Sequence, residues 1–439
     1  MKRYSLTREV LRIAWPMLIS ELTDSLYSVA DTYFVSKVGT IALAAVGVGS
    51  YLSWLFFAVV ALFSIGVLVY AAQSYGAGAV REARGALGES LIYGTLVASA
   101  VSIVMYFIAP QALSIITGPN PELIDVAAKY FRVRILGLPV LAAAIMMDSV
   151  VRAVGATKLS MIAMVSSALL NVALDPILIF GLFGVPQLGV AGAALATVIS
   201  IIYIIPVELY FLKRLSLTPA PALRPKYVVK VVRVGLPAAA ERLVFTVGNN
   251  AYIAFISRCG NVALAAHQVG VTLESFTYMP AFAFSIAASV LVGQKIGSGN
   301  VDDGKRMGAE AAKIATLLMA VSGVAVALGS RYLVAPFSPN DDVAQLAAIY
   351  LVLAGLSEPG LGVAMTLGGA IRGGGNTLVP LFINASGLYL FRVLPAAFLV
   401  SVMGVVGAWL AMFVDVYLRG LIFFIVYRKL FERLIRKLV

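Results

Sequence analysis

The sequence predicts an all-α polytopic membrane protein of twelve transmembrane helices in two six-helix bundles. Three observations carry this reading: an apolar composition, basic residues gathered on one side of the predicted spans, and a second half that repeats the first. The 439-residue chain is 61% hydrophobic and 12% charged, with a mean hydropathy of +0.96. A soluble domain carries about 25% charged residues, so this composition belongs to a chain that crosses the bilayer many times.

Hydropathy places the spans near 12–36, 43–72, 86–109, 122–146, 158–181, 187–212, 228–256, 263–292, 307–330, 341–368, 377–401 and 404–427. Gly, Pro and Asn punctuate most of the breaks: GAGAV at 76–80, TGPNP at 117–121, GSGN at 297–300, SPN at 338–340 and RGGGN at 372–376. The N-terminal apolar run is too long and too acidic for a signal peptide and reads as a retained helix. Lys213 to Lys226, with Pro219, Pro221 and Pro225, is the longest polar connector. It divides the chain into lobes 1–212 and 228–439, with a cytoplasmic linker at 213–227.

Net charge is +12, yet the placement of the charge argues against nucleic acid. With twelve spans, 24 of the 33 Lys and Arg fall on one side, while the other side has only Lys37, Lys129, Arg258 and Arg331. That asymmetry puts both termini in the cytoplasm, and the basic surface meets anionic lipid of the plasma membrane.

The repeat is direct. At an offset of 221, Arg12–Pro16 (RIAWP) matches Arg233–Pro237 (RVGLP), Phe34–Gly39 (FVSKVG) matches Phe255–Gly260 (FISRCG), and Gln73 and Gly76 match Gln294 and Gly297. Further on, RAVGAT from Arg152 matches RGGGNT from Arg372, and GVAGAALA from Gly189 matches GVVGAWLA from Gly404. An even number of spans between copies makes the repeats parallel, so two bundles can rock about an axis along the membrane normal, exposing a central cavity to alternate sides.

Such a machine needs an energy source. There is no GxxxxGK[ST] for ATP and no GxSxG for hydrolysis. One cysteine (Cys259) and one histidine (His267) exclude an internal disulfide and a zinc cluster. No nucleophile–base pair is evident, so no enzymatic activity and no cofactor are expected. A cation gradient remains, and intramembrane carboxylates are where it would act.

The first span carries three acids on one helical face: Glu21, Asp24 and Asp31. Asp31 lies in the outer half, as does Asp175 of the fifth span, with Asn171 one turn away and Thr197 of the sixth span at matching depth. These four oxygen-bearing side chains are the candidate cation-coupling site. Hard oxygen ligands suit Na+, and a carboxylate pair suits H+. Pro176 is expected to loosen the helix beside Asp175 and free backbone carbonyls. In the second half, Tyr252 and Pro395 stand where Asp31 and Asp175 would repeat, so the fold itself does not require the acids. The remaining polar spans offer Glu21, Asp24, Tyr33, Glu241, His267, Gln268 and Glu274 as lining of a substrate cavity. Asp415 and Arg419, one turn apart, are expected to pair.

At these residues the sequence resembles the multidrug and toxic compound extrusion (MATE) family, most closely its prokaryotic DinF-like branch. The carriers are ADTYFVSKVGTIALAAVGVG, NVALDPILIFG and LGVAGAALATVIS in the first half, and ALAAHQVGVTLESFTYMPAFAFSIAASVLVGQKIGSGN and AIRGGGNT in the second. The resemblance implies export of amphipathic, often cationic xenobiotics in exchange for Na+ or H+, from a V-shaped two-lobed fold. It places the cation site on Asp31, Asn171, Asp175 and Thr197. A NorM-like site in the C-terminal lobe fits less well. Glu241 matches its seventh-span acid, but its tenth-span acid falls near the apolar Leu361, and Glu358 stands one turn away. The alternative within the same superfamily is a flippase for lipid-linked oligosaccharides, which would call for a strongly cationic cavity. A monomer is the simplest assembly, and small drugs and the bilayer are the expected partners.

Overall fold

The computed structural model describes every residue except 1–2, 119, 221, 223–224 and 339, and for 3–4 the backbone alone. Pro119, Pro221 and Pro339, within the breaks and connector above, therefore lie outside the described residues, as do Lys2, Arg224 and the Arg3 side chain, three of the 24 basic residues counted on one side. In order, the helices are α1 (Arg3–Ser36), α2 (Thr40–Gly76), α3 (Val80–Thr117), α4 (Pro121–Leu136), α5 (Leu138–Ala153), α6 (Thr157–Phe180), α7 (Val190–Arg214), α8 (Val228–Ser257), α9 (Asn261–Gly297), α10 (Val301–Val334), α11 (Asp341–Gly373), α12 (Leu378–Gly387), α13 (Leu394–Met403) and α14 (Val405–Leu434). A π-helical turn, Leu388–Val393, joins α12 to α13 into one crossing of 26 residues.

Among the described residues, nine helical segments are long and apolar enough to cross a bilayer, and the bent pair α4–α5 makes a tenth. The 34-residue α1 and the 30-residue α8 are also long enough, and they are the helices that carry Glu21, Asp24, Asp31, Glu241 and Arg242. Twelve crossings result, as the sequence predicts. The fourth span departs from the expectation of one unbroken helix: α4 and α5 meet at 44° across Gly137. Pro139 has no N–H to offer the carbonyl of Ile135, and the Ser102 hydroxyl of α3 donates to that carbonyl instead, at 2.7 Å. Pro395 likewise withholds a donor from the Phe391 carbonyl, and there the helix rewinds into the π turn. Pro176, by contrast, leaves α6 helical throughout.

The repeat is visible in the backbone. Gly39 and Gly260 precede α2 and α9 with positive φ (145° and 96°), and Gly78 and Gly299 turn into α3 and α10 at 72° and 83°. Each pair sits 221 residues apart, and an L side chain would be strained at those angles. Asn120 and Asn340 both cap the helix that follows: their side chains accept the amides of Leu123 (3.2 Å) and Val343 (3.0 Å).

Two compact units form: Leu22–Ala239, and Met1–Glu21 with Ala240–Val439. We call them the N-unit and the C-unit. In the N-unit, α1, α2, α4, α6 and α7 share a core of Val35, Ala42, Val46, Tyr130, Ile179, Val190, Ala193 and Ala194. The polar connector is pinned to α3. The Arg84 guanidinium donates to the Thr218 carbonyl at 2.8 Å, and the buried Glu89 carboxylate accepts the amides of Tyr227 (2.6 Å) and Val228 (2.8 Å). Glu89 thereby satisfies two of the orphan donors at the start of α8. The C-unit holds the start of α1 through Thr7, whose hydroxyl donates to Glu310 at 2.7 Å. Its helices touch at small residues. A Cβ on Gly323 would come within 2.1 Å of the Gly355 carbonyl, and one on Gly369 within 2.1 Å of the Ser285 carbonyl, so α10, α9 and α11 pack backbone to backbone.

Candidate cation-coupling site

The N-unit gathers the four residues predicted from depth. α6 carries Asn171 and Asp175 one turn apart on its buried face, and α7 sets Thr197 against them; Asn171 is 2% and Asp175 0% exposed. In one orientation of its amide, Asn171 Nδ2 lies 3.4 Å from Thr197 Oγ1. Turned over, Nδ2 donates to Asp175 Oδ2 at 3.3 Å while Oδ1 accepts the Thr197 amide at 3.1 Å. The second orientation satisfies both ends and leaves the Thr197 hydroxyl donating to the Ala193 carbonyl at 3.1 Å, with its lone pairs available to a cation.

Asp31 of α1 lies within electrostatic range of Asp175. One oxygen on each carboxylate, Asp31 Oδ1 and Asp175 Oδ1, is buried and has no hydrogen-bond partner. Two such oxygens, with an amide and a hydroxyl beside them, form a hard-oxygen donor set that suits Na+ or a shared proton.

Three further residues complete the surroundings. Tyr27 stands one turn before Asp31, and on α4 the buried Tyr130 stands one turn before Arg134. All three face Asp31 electrostatically. The Tyr130 hydroxyl is paired with Ser50 of α2 at 3.0 Å. Arg134 Nε is buried and unpartnered. Its guanidinium offsets one of the two carboxylates; with both acids ionised the constellation would carry one net negative charge. Arg132, two residues before Arg134 on α4, turns away and donates to the Tyr106 carbonyl at 3.3 Å. The i,i+4 spacing of Tyr27 with Asp31 was available in the sequence. The facing of Arg134 was not, because it follows the phase of α4 before the bend.

The other polar candidates are dispersed. Asp24 lies in the N-unit within range of Tyr27, whereas Glu21 falls in the C-unit near Arg242 and Tyr278. Tyr33 is 56% exposed, edge-on to Phe34 and 5.0 Å from Lys37 Nζ. Gln268 is exposed. In the C-unit Glu241, Glu274, Glu358 and Asp415 each accept at least one hydrogen bond, although Glu358 Oε2 is buried without a partner. Glu241 accepts from Arg372 at 3.2 Å and from Asn384 at 2.6 Å. Glu274 accepts from Tyr350 at 2.5 Å, and Glu358 from Thr277 at 2.6 Å. His267 packs edge-on between Tyr252 and Tyr350, with Nδ1 buried and unpartnered. Asp415 pairs with Arg419 as expected, at 2.7 Å, and also with Arg392 from the π turn, at 2.8 Å.

Comparison with known proteins fixes the family. The MatE family model matches residues 16–177 and 237–398. The chain belongs to the MATE family. The two matched stretches begin 221 residues apart, the offset of the internal repeat. A probable multidrug resistance protein NorM of Thermotoga maritima is 28% identical over 433 residues, covering 95% of this chain and 92% of that one. A FAD transporter of Shewanella oneidensis is 26% identical over 421 residues, covering 94% and 92%. Among solved structures, a point mutant of the Vibrio cholerae MATE transporter VcmN superposes with a TM-score of 0.92 at 21% identity, covering 99% and 98%. A MOP superfamily transporter from Pyrococcus furiosus gives 0.89 at 21%, covering 99% of both chains. This MATE chain is a multi-pass membrane transporter with twelve membrane-spanning segments in two bundles.

Proposed function

We propose that this MATE transporter is a secondary antiporter. It exports amphipathic and cationic xenobiotics from the cell in exchange for Na+ or H+ bound at Asp31, Asn171, Asp175 and Thr197. The observation that carries this reading is the meeting of two partly unpartnered carboxylates with Asn171 and Thr197 in the N-unit alone. Their repeat equivalents in the C-unit are Tyr252 and Pro395, and the C-unit acids are already engaged by arginine, asparagine, tyrosine or threonine. A site present in one half and missing from the other is not required by the architecture, and it costs stability to keep.

In this reading the lobes, 1–212 and 228–439, rock between two states, with both termini in the cytoplasm and the protein acting as a monomer in the plasma membrane. A cation from outside neutralises the remaining negative charge of the site and favours one state, and substrate favours the other. Linkage requires each to weaken the other's hold. Glu21, Asp24, Tyr33, Glu241, His267, Gln268 and Glu274 are the polar residues offered to substrate. The relatives' names, multidrug resistance and FAD transport, set the range of organic cargo to test. The test is efflux of a fluorescent cationic dye from reconstituted vesicles with Na+ and pH gradients imposed separately. Efflux driven by neither gradient, or undiminished coupling in Asp31→Asn, would overturn the proposal.

A further inference from the structure

A second set of ionisable groups lies in the N-unit, outside the site described above. Asp148 and Arg152, one turn apart on α5, form an ion pair at 2.5 Å. Ser160 of α6 closes the set: its hydroxyl donates to Asp148 Oδ1, and Arg152 Nε donates to Ser160 Oγ at 3.0 Å. Asp148 is 4% exposed. This pair is neutral, and its carboxylate is well supplied with donors.

Glu208 of α7 faces that pair and is 0% exposed. Both of its carboxylate oxygens lack a hydrogen-bond partner. Among the described residues no other acid is in that position: Glu89 and Glu358 are equally buried, but each has one oxygen engaged. The charged groups facing Glu208 are Asp148 and Arg152, and Arg152 is already committed to Asp148. An ionised Glu208 would be a second negative charge sharing one guanidinium in a site without water contact, which burial strongly opposes. A metal cation is a poor fit, because Asp148 is occupied and no group of three or more acidic, histidine or cysteine ligands forms among the described residues. A proton fits.

We infer that Glu208 is a second proton-binding carboxyl of this transporter, exchanging its proton at the basic end of the N-unit, apart from the Asp31–Asp175 site. Along α7 it lies eleven residues beyond Thr197, or about 16 Å, near the end that carries Lys213 and Arg214. The Glu208 O–H holds the proton while the Asp148–Arg152 pair stays intact. On release the proton passes to water at the basic end, and the new carboxylate faces Arg152, which then serves two acids. The site thus offers a resting place for a proton between the coupling site and that end of the lobe.

The test uses the full-length protein, purified and reconstituted. Infrared difference spectra on an alkaline jump report the C=O stretch of a protonated carboxyl. Wild type and the Asp31→Asn/Asp175→Asn double variant should both show a signal that Glu208→Gln removes, and Glu208→Asp should restore it at a shifted frequency. Those spectra do not depend on transport, so they stand or fall apart from the antiport reading. In vesicles with an imposed pH gradient, Glu208→Gln should slow proton-driven dye exchange at least about fivefold while leaving dye binding intact. Spectra unchanged by Glu208→Gln, or a signal that disappears with the Asp31 and Asp175 substitutions, would overturn the inference.

Discussion

Asn171 and Thr197 are 26 residues apart in sequence and join α6 to α7, with Asn171 spanning from the Asp175 carboxylate to the Thr197 amide. The amide therefore sets the distance between a charged group on one helix and a hydroxyl on the next. Neither residue carries charge, yet both determine where the Asp175 oxygens point. Asn171→Ala should weaken cation affinity by about tenfold or more, the usual effect of removing a group that orients a ligand. Thr197→Val, which keeps shape and removes the hydroxyl, should give a similar loss. Sodium- or proton-induced fluorescence changes in the purified protein measure both, and an affinity within twofold of wild type for both variants would exclude a role for this bridge.

The acids themselves should behave asymmetrically from their C-unit counterparts. Asp31→Asn and Asp175→Asn each remove a charge from the site, and coupled efflux should fall by at least about tenfold, the scale of a typical coupling energy. Substrate binding in the absence of a gradient should persist, since the expected lining residues lie elsewhere. Glu358→Gln replaces an acid whose one hydrogen bond, from Thr277, an amide oxygen also accepts. It should leave coupling nearly intact. A reversal of that order would move the coupling site to the C-unit.

Arg134 gives a sharper test of the charge balance. Two carboxylates and one guanidinium leave room for one monovalent cation, so removing the guanidinium makes the site more negative. Arg134→Gln should tighten cation binding on the order of tenfold, as expected for a charge several ångströms away in a medium of intermediate dielectric. Release should slow accordingly, and turnover should drop even as affinity rises. Equilibrium binding and initial-rate efflux on the same preparation separate the two. Weaker binding would mean that Arg134 holds the acids in place rather than competing with their cation.

The sequence was informative where helical periodicity holds and silent where it breaks. Asp31, Asn171, Asp175 and Thr197 could be brought together by counting residues from the span ends, because α1, α6 and α7 run without interruption through the site. Tyr130 and Arg134 share one face of α4, before the bend at Gly137, and escaped that count because no local pattern says which face of α4 turns toward Asp31. The Arg392–Asp415 pair escaped for another reason: the π turn adds a residue to the cycle and rotates Arg392 out of the phase a helical wheel assigns. The Glu89 cap on α8 joins residues 138 apart, and no local pattern announces it. The internal repeat, by contrast, was fully readable, since its glycines and asparagines sit where positive φ angles and helix caps demand those residue types.

Asp415 should be a stability residue rather than a transport residue. It is fully buried and receives Arg419 Nε and Nη2 and Arg392 Nε, each within 2.8 Å. Arg419 is 5% and Arg392 8% exposed, so neither guanidinium reaches water if the carboxylate is lost. Asp415→Asn leaves two buried cations without their counter-charge, and breaking a buried pair by removing one partner costs about 3–5 kcal/mol. The effect should appear as a clear drop in the thermal midpoint of the detergent-purified protein. Replacing both arginines as well, in Arg392→Leu/Asp415→Asn/Arg419→Leu, removes the stranded charges and should recover much of the loss. Recovery separates uncompensated charge from lost packing: if the triple variant is no more stable than Asp415→Asn alone, the ion pair is not what Asp415 contributes. Because α14 meets the π turn through this cluster, the same comparison reports whether the unwound geometry at Leu388–Val393 depends on the ion pair or on Pro395. Hydrogen exchange across 388–395 should rise in Asp415→Asn and stay low in the triple variant if packing and Pro395 maintain the turn on their own.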